Sequence, residues 1–401
     1  MIGGVAHRFG VLYLALFERI SANSWRPMPR PAAGTAVTRG PGHDPDRVLL
    51  AGRGSSIGWG VVSHDIGLAG HLARATSALT GRGTDVEVAA ERSMSIPALK
   101  QLLTPQVLSR YDAIVLTLGT REAFELIPTA KWVDDLTSLL DHIAAGREVS
   151  PAVVVVGAEE APPVPFPRPF AGRGMARARA LNAASRAIVA QRSRVAYADS
   201  VMVAGPASTR GLLDADFISI YRQCAAAIAP ALAELLDDSP ARLRHPVDEE
   251  ARWKAVAYLH AHSEPDDERI ANLLTTLANL LMVRSADLFF VDRDNVRTLA
   301  ATTGLVPSRP RSETLSSEAL EYRGGLVIPD LAADPRMRDR PEVVGPPHLR
   351  FYAAHPVESP DGHRVAVLAV VDTVPRELTS AEMSVLREHA IRVGDVLFEN
   401  Y

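Results

Sequence analysis

The sequence predicts an α/β unit built on a parallel sheet, followed by an α+β unit whose sheet is largely antiparallel. Three observations carry this expectation. Between Arg47 and Ala198, short apolar runs of strand length alternate with helical patterns, as in a parallel sheet covered on both faces. The first run, in RVLLAGRGSSIGWGVV (Arg47–Val62), ends in a glycine-studded turn with two serines, where open α/β sheets place their ligands. The second half carries two long β-rich runs, HLRFYAAHPVE and HRVAVLAVVDT, joined by SPDG, a hairpin signal.

At 401 residues the chain is too long for one ordinary domain. A hydrophobic fraction of 47% and a charged fraction of 22% fit a folded soluble protein, and a net charge of -4 gives no reason to expect nucleic acid. The single cysteine, Cys224, excludes an internal disulfide and a cysteine-based zinc site. A cytoplasmic protein without metal or cofactor is expected.

Residues 1–23 hold one apolar segment, Phe9–Phe17, flanked by Arg8 and by Glu18–Arg19. It is too short to span a bilayer, which needs about 20 apolar residues. Phe9, Leu12, Tyr13, Leu16, Phe17 and Ile20 share one helical face, which predicts a helix docked on the protein by that face, with peripheral membrane contact as the alternative. Residues 24–46 are rich in Pro, Gly and Arg and read as a tether.

The first domain is expected over 47–236. Its strands are read at Val48–Ala51, Val86–Ala90, Ala113–Leu118, Ala152–Val156 and Val195–Ala198. Helices fall at Leu68–Leu79, Trp132–Ala144 and Ala176–Val189, and a long one at Phe217–Leu236 closes the unit. A charged linker with two prolines occupies 237–250.

The second domain is expected over 251–401. Helices at Ala251–His262 and Asp267–Val283 precede strands at Asp287–Asp292 and Val296–Thr302, an irregular stretch, the SPDG hairpin and a last helix from Ser380 to Glu399. In that helix Met383, Leu386, Ala390, Val393 and Leu397 recur with a/d spacing over two and a half heptads. Packing on its own sheet is expected, and pairing in a homodimer is the second reading.

The glycine loop admits a dinucleotide reading, Gly52-x-Gly54-x-x-x-Gly58, but the acid that should follow at about 20 residues is Glu91, 39 residues on. A different resemblance covers Asp46–Asp237. The order RVLLAGRGSSIGWGV, VEVAAERSMSI, YDAIVLTLGTRE and AVVVVGAEE resembles the SGNH (GDSL-type) hydrolases, which implies a flavodoxin-like three-layer fold.

The family's catalytic positions do not carry over. Aligned on Gly58-Trp59-Gly60-Val61, its Gly-Asp-Ser falls on Gly52-Arg53-Gly54, so glycine stands at the nucleophile. The oxyanion glycine falls on Ser93, and the Gly-x-Asn-Asp block becomes Gly119-Thr120-Arg121-Glu122. The Asp-x-x-His block maps to Leu212–Gln223, which keeps Asp214 or Asp216 and no histidine. A serine hydroxyl attacks only when a base takes its proton, and the oxyanion needs placed donors. The degenerate positions Arg53, Arg121 and Glu122 are expected to form an ion cluster, with a carboxylate or phosphate pocket as the alternative. Catalysis by Ser55 with His64 is the competing reading, against plain turn and capping roles for Ser55 and Ser56.

The second half resembles GAF domains through PDDERIANLLTTLANLLMV, ADLFFVD, the Pro-Asp-Leu-x-x-Asp-Pro-Arg phrase, Arg-Phe-Tyr-Ala-Ala and HRVAVLAVVDT. The resemblance implies a small-ligand or dimerisation module, with Asp330, Arg350, Tyr352 and Asp372 nearest any pocket. A covalent bilin would need a cysteine that this half lacks. Together the readings point to a non-catalytic sensory or regulatory protein acting on an unknown small ligand or protein partner. The alternatives are a GAF-regulated esterase and a structural dimerisation module.

Overall fold

The computed structural model describes residues 2–20, 28–32, 36–145, 150–160, 168–200, 216–238, 249–262, 267–304, 308–360 and 362–399. Two compact units divide the chain: Met1–Pro41 with Asp46–Pro240, and Gly42–Pro45 with Ala241–Tyr401.

In the first unit the described elements run α1 (Ile2–Ile20), β1 (Ala36–Gly40), β2 (Asp46–Gly52), α2 (Leu68–Thr80), β3 (Thr84–Ala90), α3 (Ile96–Leu102), α4 (Pro105–Leu108) and β4 (Ala113–Thr117). Then follow α5 (Thr120–Phe124), α6 (Thr129–Ala144), β5 (Ala152–Val156), α7 (Arg168–Val189), β6 (Val195–Ala198) and α8 (Phe217–Asp237). The sheet order is β1-β3-β2-β4-β5-β6. Strands β2 to β6 are parallel, and β1 joins the edge of β3 antiparallel.

The central strands are apolar without alternation because both of their faces are covered. Leu49, Ile114, Leu116, Val153 and Val155 pack with Leu99, Leu136, Leu139 and Leu181 from α3, α6 and α7. Val48, Leu50, Val86, Val115 and Val154 pack on the other face with Leu68 and Leu72 of α2 and with Ile228 and Leu232 of α8. Counted among the parallel strands alone, the order is second-first-third-fourth-fifth, the flavodoxin-type winding. Its switch point lies between β2 and β4, so the loops after those two strands flank the crevice where such sheets take ligands.

Two expectations are corrected here. The supposed tether 24–46 contains strand β1, whose residues Ala36–Gly40 pair with Thr84–Val88. Its ValThrArg centre is a short strand-forming run that the flanking prolines and glycines mask. The docked face of α1 is also different. Gly10 and Leu14 are buried and Tyr13 is half-buried, whereas Phe9, Leu12 and Leu16 are exposed. The side chains of Phe17 and Ile20, like Asp214, lie outside the described residues.

In the second unit the described elements are α9 (Glu249–His262), α10 (Glu268–Leu281), β7 (Ser285–Val291), β8 (Asn295–Ala301), β9 (Arg309–Pro310), α11 (Leu315–Ala319), β10 (Leu326–Ile328), α12 (Pro341–Val344), β11 (Phe351–Glu358), β12 (Arg364–Asp372) and α13 (Ser380–Leu397). The sheet order is β10-β11-β12-β7-β8-β9, antiparallel throughout. Helix α9 begins within the stretch read as linker.

One face of this sheet packs Leu288, Phe290, Phe351, Ala353, Leu368 and Val370 against α9, α10 and α13. The heptad-spaced Met383, Leu386, Ala390 and Val393 of α13 are buried in that same cluster. A capping box between Thr379 and Glu382 starts the helix. The SPDG segment closes β11 onto β12, with the Ser359 amide donating to His363 O at 2.8 Å.

Candidate functional site

The end of β2 is latched to the end of β4. The Arg53 amide donates to Thr117 O at 2.9 Å, and Thr117 Oγ1 donates to Arg53 O at 3.0 Å. The strands come so close that a Cβ on Gly52 would lie 2.5 Å from Thr117 O, and Gly52 has φ +135°. Only glycine fits there. The next glycine, Gly54 (φ +68°), is exposed and has no heavy atom within 4 Å of a Cβ position. Gly54 therefore stands at an open notch.

The hydroxyls beside the notch are used otherwise. Ser56 is buried and hydrogen-bonds Thr117 Oγ1. Ser55 is half-buried, and its carbonyl accepts from the Gly58 amide at 3.3 Å. Among the described residues no hydrogen bond joins Ser55 to His64. His64 sits in a short helical turn capped by Ser63, whose Oγ accepts from the Asp65 amide at 3.2 Å. Burial lowers the His64 pKa, and the neighbouring Asp65 charge only partly offsets this. That favours the neutral ring.

The expected ion cluster forms in part. Arg53 pairs with Glu122, whose other oxygen accepts from the Gly119 amide at 2.9 Å. Both side chains are largely enclosed, at 13% and 7% exposed. Arg121 turns to Glu125 one helical turn on, with Nε donating at 2.7 Å. The i,i+4 spacing from α5 to the residue that ends it offers Arg121 that partner locally. Ser93 is exposed and donates to Glu91 at 3.3 Å. Asp216 caps α8 by accepting from the Ser219 amide at 3.0 Å.

A buried ion pair that loses one member leaves an uncompensated charge. Arg53→Met should therefore lower stability by about 2–3 kcal/mol, read as a falling urea midpoint. Adding Glu122→Gln should restore most of the loss. A double variant as unstable as the single one would remove the pair from this role.

Sequence reasoning missed Thr117, Asn182, Tyr221 and Glu159. Asn182 on α7 holds the loop after β5: its Oδ1 accepts from the Ala158 amide at 2.7 Å and its Nδ2 donates to Ala158 O at 3.0 Å. Thr120 Oγ1 accepts from the Glu159 amide at 3.0 Å. Tyr221 Oη donates to Trp59 O at 2.7 Å, fixing α8 to the glycine loop. Glu159 thus ends at the α8 side of the sheet, where burial raises its pKa to about 7. Its charge bears on Tyr221 and on Cys224, whose thiol is pushed up to about 12, mainly by burial. The polar letters Asn182 and Tyr221 inside apolar helices were the available signal. Nothing in GAEE separates Glu159 from Glu160.

In the second unit the four matched residues brace loops or fill space. Asp330 Oδ1 accepts from the Ala332 amide at 3.0 Å. Arg350 donates through Nη1 to Val343 O at 3.1 Å and to Leu349 O at 2.9 Å. Asp372 accepts from the Arg350 amide through its carbonyl and from the Thr373 amide through Oδ1. Tyr352 is 2% exposed, packed with Leu320, Leu331, Met337 and Val343, and burial raises its pKa. Buried Asp287, on the same sheet face, accepts from Ser285 Oγ at 2.5 Å, and burial raises its pKa. No group of three or more His, Cys, Asp or Glu that could hold a metal occurs among the described residues. None of the described helices is long and apolar enough to cross a membrane.

No family model matches the chain. A stretch of 150 residues, 37% of the chain, is 29% identical to part of a cyclic di-GMP phosphodiesterase of Pseudomonas aeruginosa. The match spans a quarter of that curated relative's length. About a third of the chain is similar to solved GAF domains. One, from a sensor histidine kinase of Bacillus halodurans, is 14% identical with a TM-score of 0.27, covering 34% of this chain and 96% of that one. Another, from a phosphoenolpyruvate-protein phosphotransferase of Coxiella burnetii, is 14% identical with a TM-score of 0.30, covering 38% and 95%. The free methionine-R-sulfoxide reductase of Neisseria meningitidis is 18% identical with a TM-score of 0.28, covering 39% and 93%.

Proposed function

We propose that the chain is a non-catalytic sensory or regulatory protein. In this reading an SGNH-hydrolase-like scaffold that has lost its chemistry precedes a GAF-type module that takes a small ligand or a protein partner. One observation supports the first half above others: the nucleophile position is Gly54, open to solvent, and the adjacent buried hydroxyl of Ser56 is committed to Thr117. A loop so arranged keeps the crevice of an esterase and lacks an activated oxygen. The sequence likeness of 37% of the chain to part of an enzyme named for cyclic di-GMP turnover supports a signalling role.

An aryl-ester assay on the purified full chain tests this. Turnover should stay at the buffer rate, and Ser55→Ala and His64→Ala should change nothing. Turnover above buffer that Ser55→Ala abolishes would establish the GAF-regulated esterase instead.

The packed layer over the second sheet favours a second reading. Leu315, Leu320, Leu331, Met337 and Val343 fill the space in which a GAF ligand would sit. A dimerisation module needs no such space. Thermal melting against nucleotides, cyclic di-GMP among them, and small metabolites separates the two. A shift with any of them supports the ligand module, whereas a ligand-blind melt with a stable dimer supports the structural one.

A further inference from the structure

We propose that the outward face of α1, with the arginine-rich flank of α7 beside it, docks onto an anionic membrane surface. The orientation of α1 is fixed from below. A Cβ on Gly10 would lie 2.6 Å from Glu125 O, so the helix sits as close as backbone allows. His7 Nδ1 bonds the same carbonyl at 2.9 Å, and Leu14 is buried with Phe124, Leu126 and Phe170. That seating turns Phe9, Leu12 and Leu16 outward, at 63%, 69% and 53% exposure. Their spacing of three and four residues makes them one continuous stripe.

Burial could have been chosen for these residues, since phenylalanine and leucine are among the side chains most often buried. Three such side chains are far short of the roughly 800 Å² per partner that a stable protein interface needs. They are the right scale for shallow insertion at the boundary between headgroups and acyl chains.

The charge beside the stripe selects the occupant. Tyr13, four residues after Phe9 and three before Leu16, packs against Phe170 at the start of α7, the two rings tilted by 39° with centroids 4.3 Å apart. Helix α7 therefore runs off from the edge of the stripe. Its sequence, RPFAGRGMARARALNAASRAIV, holds five arginines and no acid. Arg173 and Arg179 are exposed and have no acidic partner among the described residues, and Arg8 is exposed next to Phe9. Unpaired arginines bordering exposed apolar side chains complement anionic headgroups. Insertion stays superficial, because none of the described helices can cross the bilayer.

Co-sedimentation of the full chain with vesicles tests the assignment. The protein should pellet with phosphatidylcholine vesicles containing phosphatidylglycerol, pellet far less with phosphatidylcholine alone, and be released by high salt. Leu12→Asp should weaken binding at least tenfold, and Arg173→Glu and Arg179→Glu by about fivefold each. Leu12→Ser should weaken it less than Leu12→Asp. All three positions are exposed, so an unchanged thermal midpoint shows that each variant is folded. Equal binding to the two vesicle types, or full binding by Leu12→Asp, overturns the proposal. So does a dimer in solution that Leu12→Asp splits, which would assign the stripe to a protein contact.

Discussion

Gly52→Ala should lower the thermal midpoint of the first unit by about 10 °C. The added methyl meets Thr117 O at 2.5 Å, and the φ of +135° is strained for any L side chain. Backbone strain costs about 1–3 kcal/mol and forced overlap a similar amount. The two together, about 3–5 kcal/mol, correspond to that shift in a unit of this size. Gly54→Ala is the matched control, two residues away, with positive φ and open space around it. It should cost only about 1–2 kcal/mol, the penalty of the left-handed backbone alone. Differential scanning calorimetry of the two variants separates conformation from collision. If Gly52→Ala melts no earlier than Gly54→Ala, the latch between β2 and β4 is not as tight as described.

Glu159→Gln should stabilise the protein at pH 8 and leave it nearly unchanged at pH 5. In the folded chain burial raises this carboxyl from its ordinary 4.5 to about 7. The folded state therefore holds the proton over a range in which the unfolded state has released it. The stability this contributes is fully present below about pH 4.5 and drains away as pH rises through 7. Above pH 7.5 holding the charged form in this site costs on the order of 3 kcal/mol. Glutamine carries no charge to bury, so the gap between variant and wild type should open across that window. Urea titrations at the two pH values read it directly. An equal effect of Glu159→Gln at pH 5 and pH 8 would place the carboxyl in water.

Much of the fold was legible because its strands are written in an unmistakable way. Val48–Ala51, Ala113–Leu118 and Ala152–Val156 are apolar on consecutive positions, which only a strand buried on both faces requires. Strand β1 was not legible. It lies at an edge, pairs on one side, and needs no apolar run; AVTRG differs little from the loop around it. The face of α1 was misread for a related reason. Periodicity shows that a helix has an apolar side and cannot show that glycine, lacking a side chain, makes the tighter seat.

The site was legible by position and not by partner. The order of the motifs sets Arg53 and Arg121 at the tips of adjacent strands with Glu122 beside them, and of these only Arg53 and Glu122 pair. Arg121 falls in the same cluster by linear order, which cannot show that Glu125, at the end of its own helix, is nearer. Glu159 gives no local signal because its character comes from α8, whose Tyr221 and Cys224 lie 62 and 65 residues downstream.

Five residues of β1 also decide how this protein can be handled. They cover the free rim of β3, whose row of amides and carbonyls would otherwise lie bare. An uncovered rim is a template for the rim of another copy, the first step toward fibrils and domain exchange. A shortened version beginning at Asp46 would retain every helix that flanks the glycine crevice and would still be prone to clump. A working truncation has to start upstream of Ala36.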